Sequence, residues 1–539
     1  MCVRLDGRTE RRAPIVVGVV LCLPLVVLAA RGLAHGWQSP VGDVSLIELR
    51  VRDVGTANMP LLGSYGRYGF NHPGPLWFIA LAAPYRLTGN LQLGVLLIGV
   101  LSLAAIVCVA ARRGGLLFAG ALTAVFVYGA GPAFISNPWE PLGLLLPCAA
   151  LLLLTFDTAA GRAWSLPLVA AVASLLGAAQ ATLLPFALAM GAVAVVGAVR
   201  QRERRPLLVS GAVLAVLWLP TVIQQLTRSP RNLSAMWAAR ASPAPSLGFA
   251  KAWDLVANEL GHRGPWLGFS LPLDALSPTA RVDVAPLVPL GLVALLAALW
   301  WRRHPLVLTA LAAVAAGVVA MSQLLGPVFL WIPQWLRVVG FGAWLAAGWV
   351  VIDRIPRALC AVALVVVSTL SLVDAGTYTP APDYAGDAIR TLAHDANGLR
   401  GPVLVTSQAD LGLAFGGSGA GVEVIVLELE KRGIETVVPT SLADHYGPRR
   451  AQPERAATAV CLRTVAQGGI DPLPSSLRAE RNGLLDRLGL PHDATAADLL
   501  GRMQKDPSQH DLVKRAYEIP DPPRLDLTQG ACGATTSTP

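Results

Sequence analysis

The stretch that decides the fold is residues 43–87, which read DVSLIELRVRDVG (43–55) and, after four residues, PLLGSYGRYGFNHPGPLWFIALAAPYRL (60–87). It follows an apolar segment and is itself too polar to cross a bilayer. It begins with an acid, continues through a glycine- and tyrosine-rich turn, and ends in an Asn-His-Pro-Gly-Pro that opens a new apolar run. That run is shorter than the roughly 20 residues of a spanning helix. The stretch is therefore predicted to be a loop outside the bilayer.

The composition of the whole chain indicates a membrane protein. Of its 539 residues, 54% are apolar and only 14% are charged, against about 25% charged in soluble domains. Residues 1–373 carry 27 Lys and Arg against 13 Asp and Glu, whereas residues 374–539 carry 16 against 21. Much of the basic excess lies in short turns between apolar segments, as in membrane proteins. Nucleic acid is therefore not an expected partner.

Eleven apolar segments are candidate transmembrane helices. They are 14–34, 91–111, 115–134, 141–156, 164–180, 183–199, 206–226, 286–301, 305–325, 336–352 and 356–373. With the N-terminus in the cytoplasm, five successive arginine-containing turns fall on the cytoplasmic side, which obeys the positive-inside rule. The chain is thus predicted to be a multi-pass plasma-membrane protein. Residues 1–373 form its all-α membrane domain, with external loops at 35–90 and 227–285.

Because the number of spans is odd, residues 374–539 are predicted to be exported. Strand-like runs at 402–406, 424–427 and 436–439, with helix-like segments between and after them, indicate a small α/β domain. Residues 427–434 are expected to be the end of a helix, which Gly433 closes. The tail, which contains Pro520, Pro522, Pro523 and Thr-Ser-Thr-Pro539, is expected to be extended or disordered.

Cysteine placement gives one further prediction. Cys461 and Cys532 are the only cysteines in the polar C-terminal part, and an exported domain permits disulfides, so this pair is predicted to be bonded. No Cys/His spacing in the chain resembles a zinc site.

The residues after Asp43 show helical periodicity. Val44, Ile47 and Val51 fall on one stripe, which predicts an amphipathic helix at the membrane surface. Asp43 lies at the edge of that stripe, where it is either an N-cap of the helix or a functional acid. Glu48 lies on the opposite edge, four residues before Arg52, and is a candidate for an ion pair within the helix.

The order of features in residues 43–87 resembles the first external loop of the GT-C glycosyltransferases. These are multi-span membrane enzymes that take a sugar from a polyprenyl-phosphate donor. They carry an acid early in this loop and, roughly 25–30 residues later, a basic or His-containing Pro-Pro-Leu-like turn that enters an apolar helix. Here the acid is Asp43 and the turn is Asn71-His-Pro-Gly-Pro-Leu76, with Pro-Gly-Pro in place of Pro-Pro. The resemblance implies that Asp43 is the general base that deprotonates an acceptor hydroxyl.

The resemblance also indicates a second acid, in the turn Ile135-Ser-Asn-Pro-Trp-Glu-Pro141. GT-C proteins often place an acid in this second external turn, where it helps to hold a metal or the acceptor. Glu140 fits that position, and it equally fits as a favourable charge at the start of the helix that Pro141 begins. The sequence therefore leaves open whether a divalent metal ion binds, and it implies no other cofactor.

Several further side chains on the predicted external side are candidate contacts to donor or acceptor. His72 is either a ligand contact or a turn residue, and Gln180 either binds sugar hydroxyls or bonds between helices. Arg337, in Trp331-Ile-Pro-Gln-Trp-Leu-Arg337, and Arg231 lie on the side where the positive-inside trend disfavours arginine. They are the candidates for the donor phosphate. The remaining candidate contacts are Glu48, Tyr65 and Tyr68.

The sequence thus predicts a glycosyltransferase that moves a sugar from a polyprenyl-phosphate donor to an envelope polysaccharide or glycolipid on the exported face of the membrane. By resemblance, the nearest members are bacterial arabinosyl- and mannosyltransferases. A lipid or solute transporter, such as a flippase, is the alternative, although the inverted repeats and charged mid-membrane helices common in transporters are not evident. A non-catalytic envelope assembly protein is the third hypothesis.

Overall fold

The computed structural model describes residues 7–37, 39–66, 68–241, 245–261, 266, 289–326, 329, 331–380, 383–409, 421–465, 468–494, 498–499, 501–502, 506–519 and 524–532. The chain forms two compact units, residues 1–37 with 50–380 and residues 38–49 with 381–539. The sequence had suggested a division at residue 373 and had placed residues 38–49 with the membrane helices.

The first unit is almost entirely helical. Its helices are α1 (Gly7–His35), the end of α2 (Asp43–Asp53), α3 (Leu76–Thr88), α4 (Leu91–Arg112), α5 (Leu116–Ala130), α6 (Pro132–Ile135), α7 (Glu140–Gly143), α8 (Leu145–Ala159), α9 (Leu166–Ala179), α10 (Leu184–Arg200), α11 (Arg204–Thr227), α12 (Asn232–Ala239), α13 (Gly248–Glu259), α14 (Leu290–Trp301), α15 (Pro305–Ser322), α16 (Arg337–Val350) and α17 (Arg357–Thr377). Two short antiparallel strands, β1 (Tyr65–Gly66) and β2 (Phe70–Asn71), interrupt them.

Six helical segments in the described residues are long and apolar enough to cross a membrane. They are Arg12–His35, Leu91–Arg112, Glu140–Ala159, Ala181–Arg200, Pro305–Ser322 and Arg357–Thr377. Helix α11 is a seventh if its two parts form one span; they meet at 47°, next to Pro220, which cannot donate a backbone hydrogen bond. The other predicted spans coincide with helices that are shorter than 18 residues, α5, α9, α14 and α16. The chain is a multi-pass membrane protein, and the number eleven stays a prediction.

The span that contains α7 and α8 lies at the centre of the first unit. In an 18-residue window of this span, 89% of the residues are buried, against 28% in the spans of α1 and α17. Helix α8 packs against α4, α9, α10 and α15, while α17 packs against α5 and α1 at the periphery. Large apolar side chains such as Val362, Val365 and Val366 of α17 remain exposed. Such a surface on a spanning helix is what lipid tails cover.

The second unit is built on a four-stranded sheet. Its elements are the start of α2, α18 (Tyr384–Asp395), β3 (Val403–Ser407), α19 (Val422–Lys431), β4 (Thr436–Val437), α20 (Ala443–Tyr446), β5 (Thr458–Thr464), α21 (Ser475–Leu488), α22 (His510–Glu518) and β6 (Leu525–Gln529). The strand order is β4-β3-β5-β6, in which β3 is parallel to both β4 and β5, and β6 is antiparallel to β5. Leu49 of α2, Ile389 of α18 and Ile425 of α19 share one core with Val403 and Val460 of the sheet.

The sequence predictions for the second unit are wrong or incomplete in places. The run 424–427 is not a strand, because it lies inside α19, whose residues 422–427 are all buried. A short, fully buried apolar run has no polar face from which its period could be inferred. Strands β5 and β6 were not predicted. Within the expected tail, residues 525–529 form β6, whereas residues 520–523 and 533–539 lie outside the described part of the chain.

Candidate functional site

Asp43 is the first residue of α2 and belongs to the second unit. Gly42, with φ +53°, precedes it in a left-handed conformation that favours glycine, and its carbonyl accepts from the N–H groups of Ser45 and Leu46. Asp43 therefore lies inside the first turn rather than at the capping position. There its negative charge is favourable to the helix dipole.

A buried carboxyl group interacts electrostatically with Asp43. Glu423, in the first turn of α19, has an exposure of 0%. Burial, together with the charge of Asp43, raises the pKa of Glu423 to about 7, although local hydrogen bonds oppose the shift. The phenol of Tyr446 is also fully buried and interacts with Glu423. Its pKa is raised mainly by burial and further by the charge of Glu423. The second unit thus places a candidate base beside an acid that titrates near neutrality.

Glu48 lies one turn further along α2 and faces α19. Its carboxylate pairs with Nζ of Lys431 at 3.0 Å and is almost fully buried. Arg52, its expected partner within the helix, donates to the Tyr85 hydroxyl at 3.3 Å. Glu48 therefore has a contact that ties two helices of the second unit together.

The glycine- and tyrosine-rich turn of the first unit folds back on itself. Gly63 and Ser64 pair with His72 through backbone hydrogen bonds of 3.0 and 2.8 Å, and β1 pairs with β2 beyond them. The glycine of Pro-Gly-Pro is required by packing, because a Cβ on Gly74 would lie 2.8 Å from Thr221 Oγ1 and 3.1 Å from Ala178 Cβ. A second proline at this position would not fit.

His72 is held as a neutral imidazole. Its Nδ1 accepts a hydrogen bond from the Ala181 N–H at 3.2 Å, which leaves the proton on Nε2. Burial lowers the pKa of His72 to about 4. Neighbouring Gln180 is 4% exposed, and its Oε1 is buried without a hydrogen-bond partner among the described residues. Both side chains are therefore suited to uncharged hydrogen bonding rather than to neutralising a phosphate.

Glu140 lies against the same turn. Its Oε1 accepts a hydrogen bond from Ser64 Oγ, and the side chain is 3% exposed. Trp77 Nε1 donates to the Pro138 carbonyl at 2.8 Å, which links α3 to the segment before Glu140. The structure thus brings the predicted first external loop and the predicted second external turn, distant in sequence, into contact within the first unit.

Asn232 fixes the other edge of this turn. Its Oδ1 accepts from the Asn71 N–H and its Nδ2 donates to the Asn71 carbonyl, both at 2.9 Å. Arg231, immediately before it, is exposed, so its guanidinium is available beside the turn. Of the two predicted tyrosine contacts, Tyr65 lies in β1, and Tyr68 donates its hydroxyl to the Leu325 carbonyl.

Arg337, which the sequence places at the mouth of a span, is buried. It begins α16 and is 1% exposed. Its Nη1 donates to the Gly129 carbonyl at 3.4 Å, and the guanidinium lies 4.9 Å from the ring centroid of Phe134. Glu259, the last residue of α13, supplies the opposing charge. Burial raises the pKa of Glu259 to about 8, although Arg337 and a backbone N–H of Trp266 both lower it.

Two further predictions concern covalent and metal chemistry. Cys461 in β5 and Cys532 after β6 are joined by a disulfide across 71 residues of chain. Over the described ranges, no group of three or more His, Cys, Asp or Glu side chains is placed to hold a metal ion.

Three residues of these clusters were not predicted from sequence: Glu423, Glu259 and Asn232. For two of them, the sequence contains a pattern that could have indicated a buried acid. Glu423 is the first acid in the apolar run VEVIVLEL, and Glu259 follows Ala252, Leu255 and Val256 on the buried stripe of α13. An acid at a core position of an amphipathic helix is costly unless it has a role or a partner. Asn232 had no such signal.

The fold of this chain is the GT-C glycosyltransferase fold. ArnT from Cupriavidus metallidurans bound to undecaprenyl phosphate has a similar structure, with a TM-score of 0.50 and 13% identity over 85% of this chain and 94% of that chain. Its apo state gives a TM-score of 0.47 and 13% identity over 79% and 89% of the two chains. The mycobacterial arabinofuranosyltransferase AftD gives 0.30 and 19% identity over 80% of this chain and 33% of AftD. The likeness to ArnT confirms the predicted fold.

By sequence, the chain matches no protein-family model and no curated protein.

Proposed function

We propose that this protein is a membrane glycosyltransferase that takes a sugar from a polyprenyl-phosphate donor. The transfer is to a hydroxyl of an envelope polysaccharide or glycolipid on the exported membrane face. The observation that carries the proposal is the likeness to ArnT over 94% of its length, since that structure holds undecaprenyl phosphate. Arabinosyl and mannosyl donors are the first to test, because the first loop most resembles that of such transferases.

Asp43 is the proposed base. Two features support the assignment: its position about thirty residues before Asn71-His-Pro-Gly-Pro75, and its place in the first turn of α2. A carboxylate accepts a proton from the acceptor hydroxyl when the two are within hydrogen-bond reach. The freed oxygen then attacks the anomeric carbon, the bond to the phosphate oxygen breaks, and the polyprenyl phosphate leaves. Displacement of this kind inverts the anomeric configuration.

The remaining candidate residues take roles that follow from their chemistry and from the resemblance to GT-C enzymes. Arg337 and Arg231 are the proposed donor-phosphate ligands, because arginine binds phosphate with two parallel hydrogen bonds. His72 and Gln180 are proposed to bind sugar hydroxyls, since a neutral imidazole N–H and an amide oxygen complement a hydroxyl group. Glu140, which Ser64 holds in place, is the proposed second acid.

The test is sugar transfer by the purified protein. Polyprenyl-phosphate sugars that differ only in the sugar are offered with envelope glycolipid, and both the labelled product and the free polyprenyl phosphate are measured. We expect turnover with one donor class, and a loss of at least about 100-fold in Asp43→Asn. Glu48→Gln, a matched change in the same helix, should cost far less, because Glu48 has a structural partner in Lys431.

Two outcomes would contradict this proposal. Near-parental turnover in a well-folded Asp43→Asn preparation removes the base assignment. Movement of a polyprenyl-phosphate sugar across proteoliposome membranes, without transfer or hydrolysis with any donor, favours the transporter hypothesis instead.

A further inference from the structure

The buried carboxyl group of Glu259 is not explained by the proposed reaction. It is 7% exposed, and its Oε2 is buried without a hydrogen-bond partner among the described residues. Its position is fixed by close helix packing, because a Cβ on Gly340 of α16 would lie 2.4 Å from the Glu259 carbonyl oxygen. Gly340 is three residues after Arg337, so this contact brings Glu259 within about one turn of the arginine.

Arg337 is the one ionisable residue of the described elements α15, α16 and 332–336, and it interacts electrostatically with Glu259. Helix α13 packs against α15, against α16 and against the turn at residues 332–336. Helix α15 and that turn contain no ionisable residue, and α16 contains only Arg337. Lys251 and Asp254 of α13 itself are exposed. The charge state of Glu259 therefore depends on burial, on Arg337 and on the backbone N–H of Trp266.

We propose that Glu259 is a protonatable counter-ion of Arg337, which neutralises the guanidinium when ionised and leaves its charge to the donor phosphate when protonated. Glu259 is thus a positioning residue and does not touch the reacting atoms. The inference rests on the proposed role of Arg337 in donor binding.

Donor binding and protonation of Glu259 are thermodynamically linked. In the absence of donor, burial raises the pKa of Glu259 to about 8. A phosphate anion beside Arg337 repels the ionised carboxylate and favours its protonated form, so binding takes up a proton. Affinity is then highest below pH 8 and falls as pH rises through that value. If the bound phosphate raises the Glu259 pKa by about one unit, the affinity falls about tenfold.

The experiment measures binding of undecaprenyl phosphate to the full-length protein in nanodiscs between pH 7.5 and 9.5, where the phosphate is already a dianion. We expect about tenfold weaker binding at the upper pH for the parent protein. Glu259→Gln should bind equally well across the range, and about tenfold more tightly than the parent at pH 9.5. Asp254→Asn, which removes an exposed acid from the same helix, should behave like the parent.

A second measurement does not depend on the stability of a variant. Calorimetry of the parent in two buffers of different ionisation enthalpy should detect proton uptake when undecaprenyl phosphate binds at pH 8.5. Zero uptake, or uniformly weaker binding by Glu259→Gln with an unchanged pH profile, overturns the counter-ion role. If the parent binds undecaprenyl phosphate with the same affinity at every pH, the counter-ion role is overturned and the donor site stands. No binding at any pH overturns the donor site as well.

Discussion

Replacing Glu423 by Gln should stabilise the second unit at neutral and alkaline pH and have little effect at pH 5. The carboxyl group of Glu423 has an exposure of 0%, and burial, with Asp43 as a further cause, raises its pKa from 4.5 to about 7. In the unfolded chain this group ionises near 4.5, whereas in the folded unit it holds its proton until about pH 7. The folded state thus binds more protons between these values, so stability falls as pH rises from about 4.5 to 7.

The size of the effect follows from the shift. A difference of about 2.5 units corresponds to roughly 3 kcal/mol of lost stability at pH 8, and to under about 1 kcal/mol at pH 5. Gln resembles the protonated acid in size, so Glu423→Gln should gain about 3 kcal/mol at pH 8 and change little at pH 5. The matched control is Glu428→Gln, which removes a partly exposed acid from the same helix, paired with Lys431 at 3.5 Å. We expect less than about 1 kcal/mol from it at either pH.

Hydrogen exchange of core amides in β3 and β5 is the appropriate assay, because it reports the opening free energy of one unit within the whole protein. Intrinsic exchange rates are corrected for pH before the two variants are compared. A gain of the same size at pH 5 and pH 8 would contradict the reasoning, because it would mean that the ionised carboxylate carries no penalty in the folded state.

Three further predictions concern other clusters. Asp157→Asn should destabilise the first unit by about 1.5–3 kcal/mol in thermal unfolding, because a fully buried carboxylate that accepts from Arg112, Arg113 and Ser165 is lost. An unchanged melting temperature would contradict this. Non-reducing peptide mapping should detect Cys461 and Cys532 as a linked peptide, and reduction of this disulfide should cost the second unit roughly 4 kcal/mol over its 71-residue separation; two free thiols in the native protein would refute it. Glu140→Gln, whose amide oxygen still accepts from Ser64, should keep the melting temperature and lower turnover at least about tenfold; unchanged turnover would leave Glu140 a structural role.

Much of the membrane architecture was predictable from the sequence, because long apolar segments and arginine-rich turns are one-dimensional signals. The helix at Asp43 and the short helix α3 were predictable for the same reason, since periodicity and length are local. What failed was the run 424–427, where burial on every side removes the alternation that separates strand from helix. The strands β5 and β6 depend on pairing across about 60 residues of chain, which no local pattern records.

The candidate site shows the same limit. Asp43, His72 and Glu140 were predicted from local motifs, whereas their contacts come from segments far away in sequence. Ser64 reaches Glu140 across 76 residues, and Ala181 meets His72 across 109. A motif predicts which residues carry a given chemistry, but the partners that set their charge and orientation are properties of the fold.

One consequence of these partners concerns pH. In the second unit Asp43 interacts with Glu423, and in the first unit Arg337 interacts with Glu259; burial places the pKa values of these two acids at about 7 and about 8. Neither acid was a candidate from the sequence, yet each titrates next to a residue to which the proposed mechanism gives a role. If Asp43 and Arg337 act as proposed, the pH dependence of transfer should change in Glu423→Gln and Glu259→Gln, although neither acid touches substrate. A pH–rate profile that both substitutions leave unaltered would mean that proton exchange at these buried partners is not coupled to the reaction.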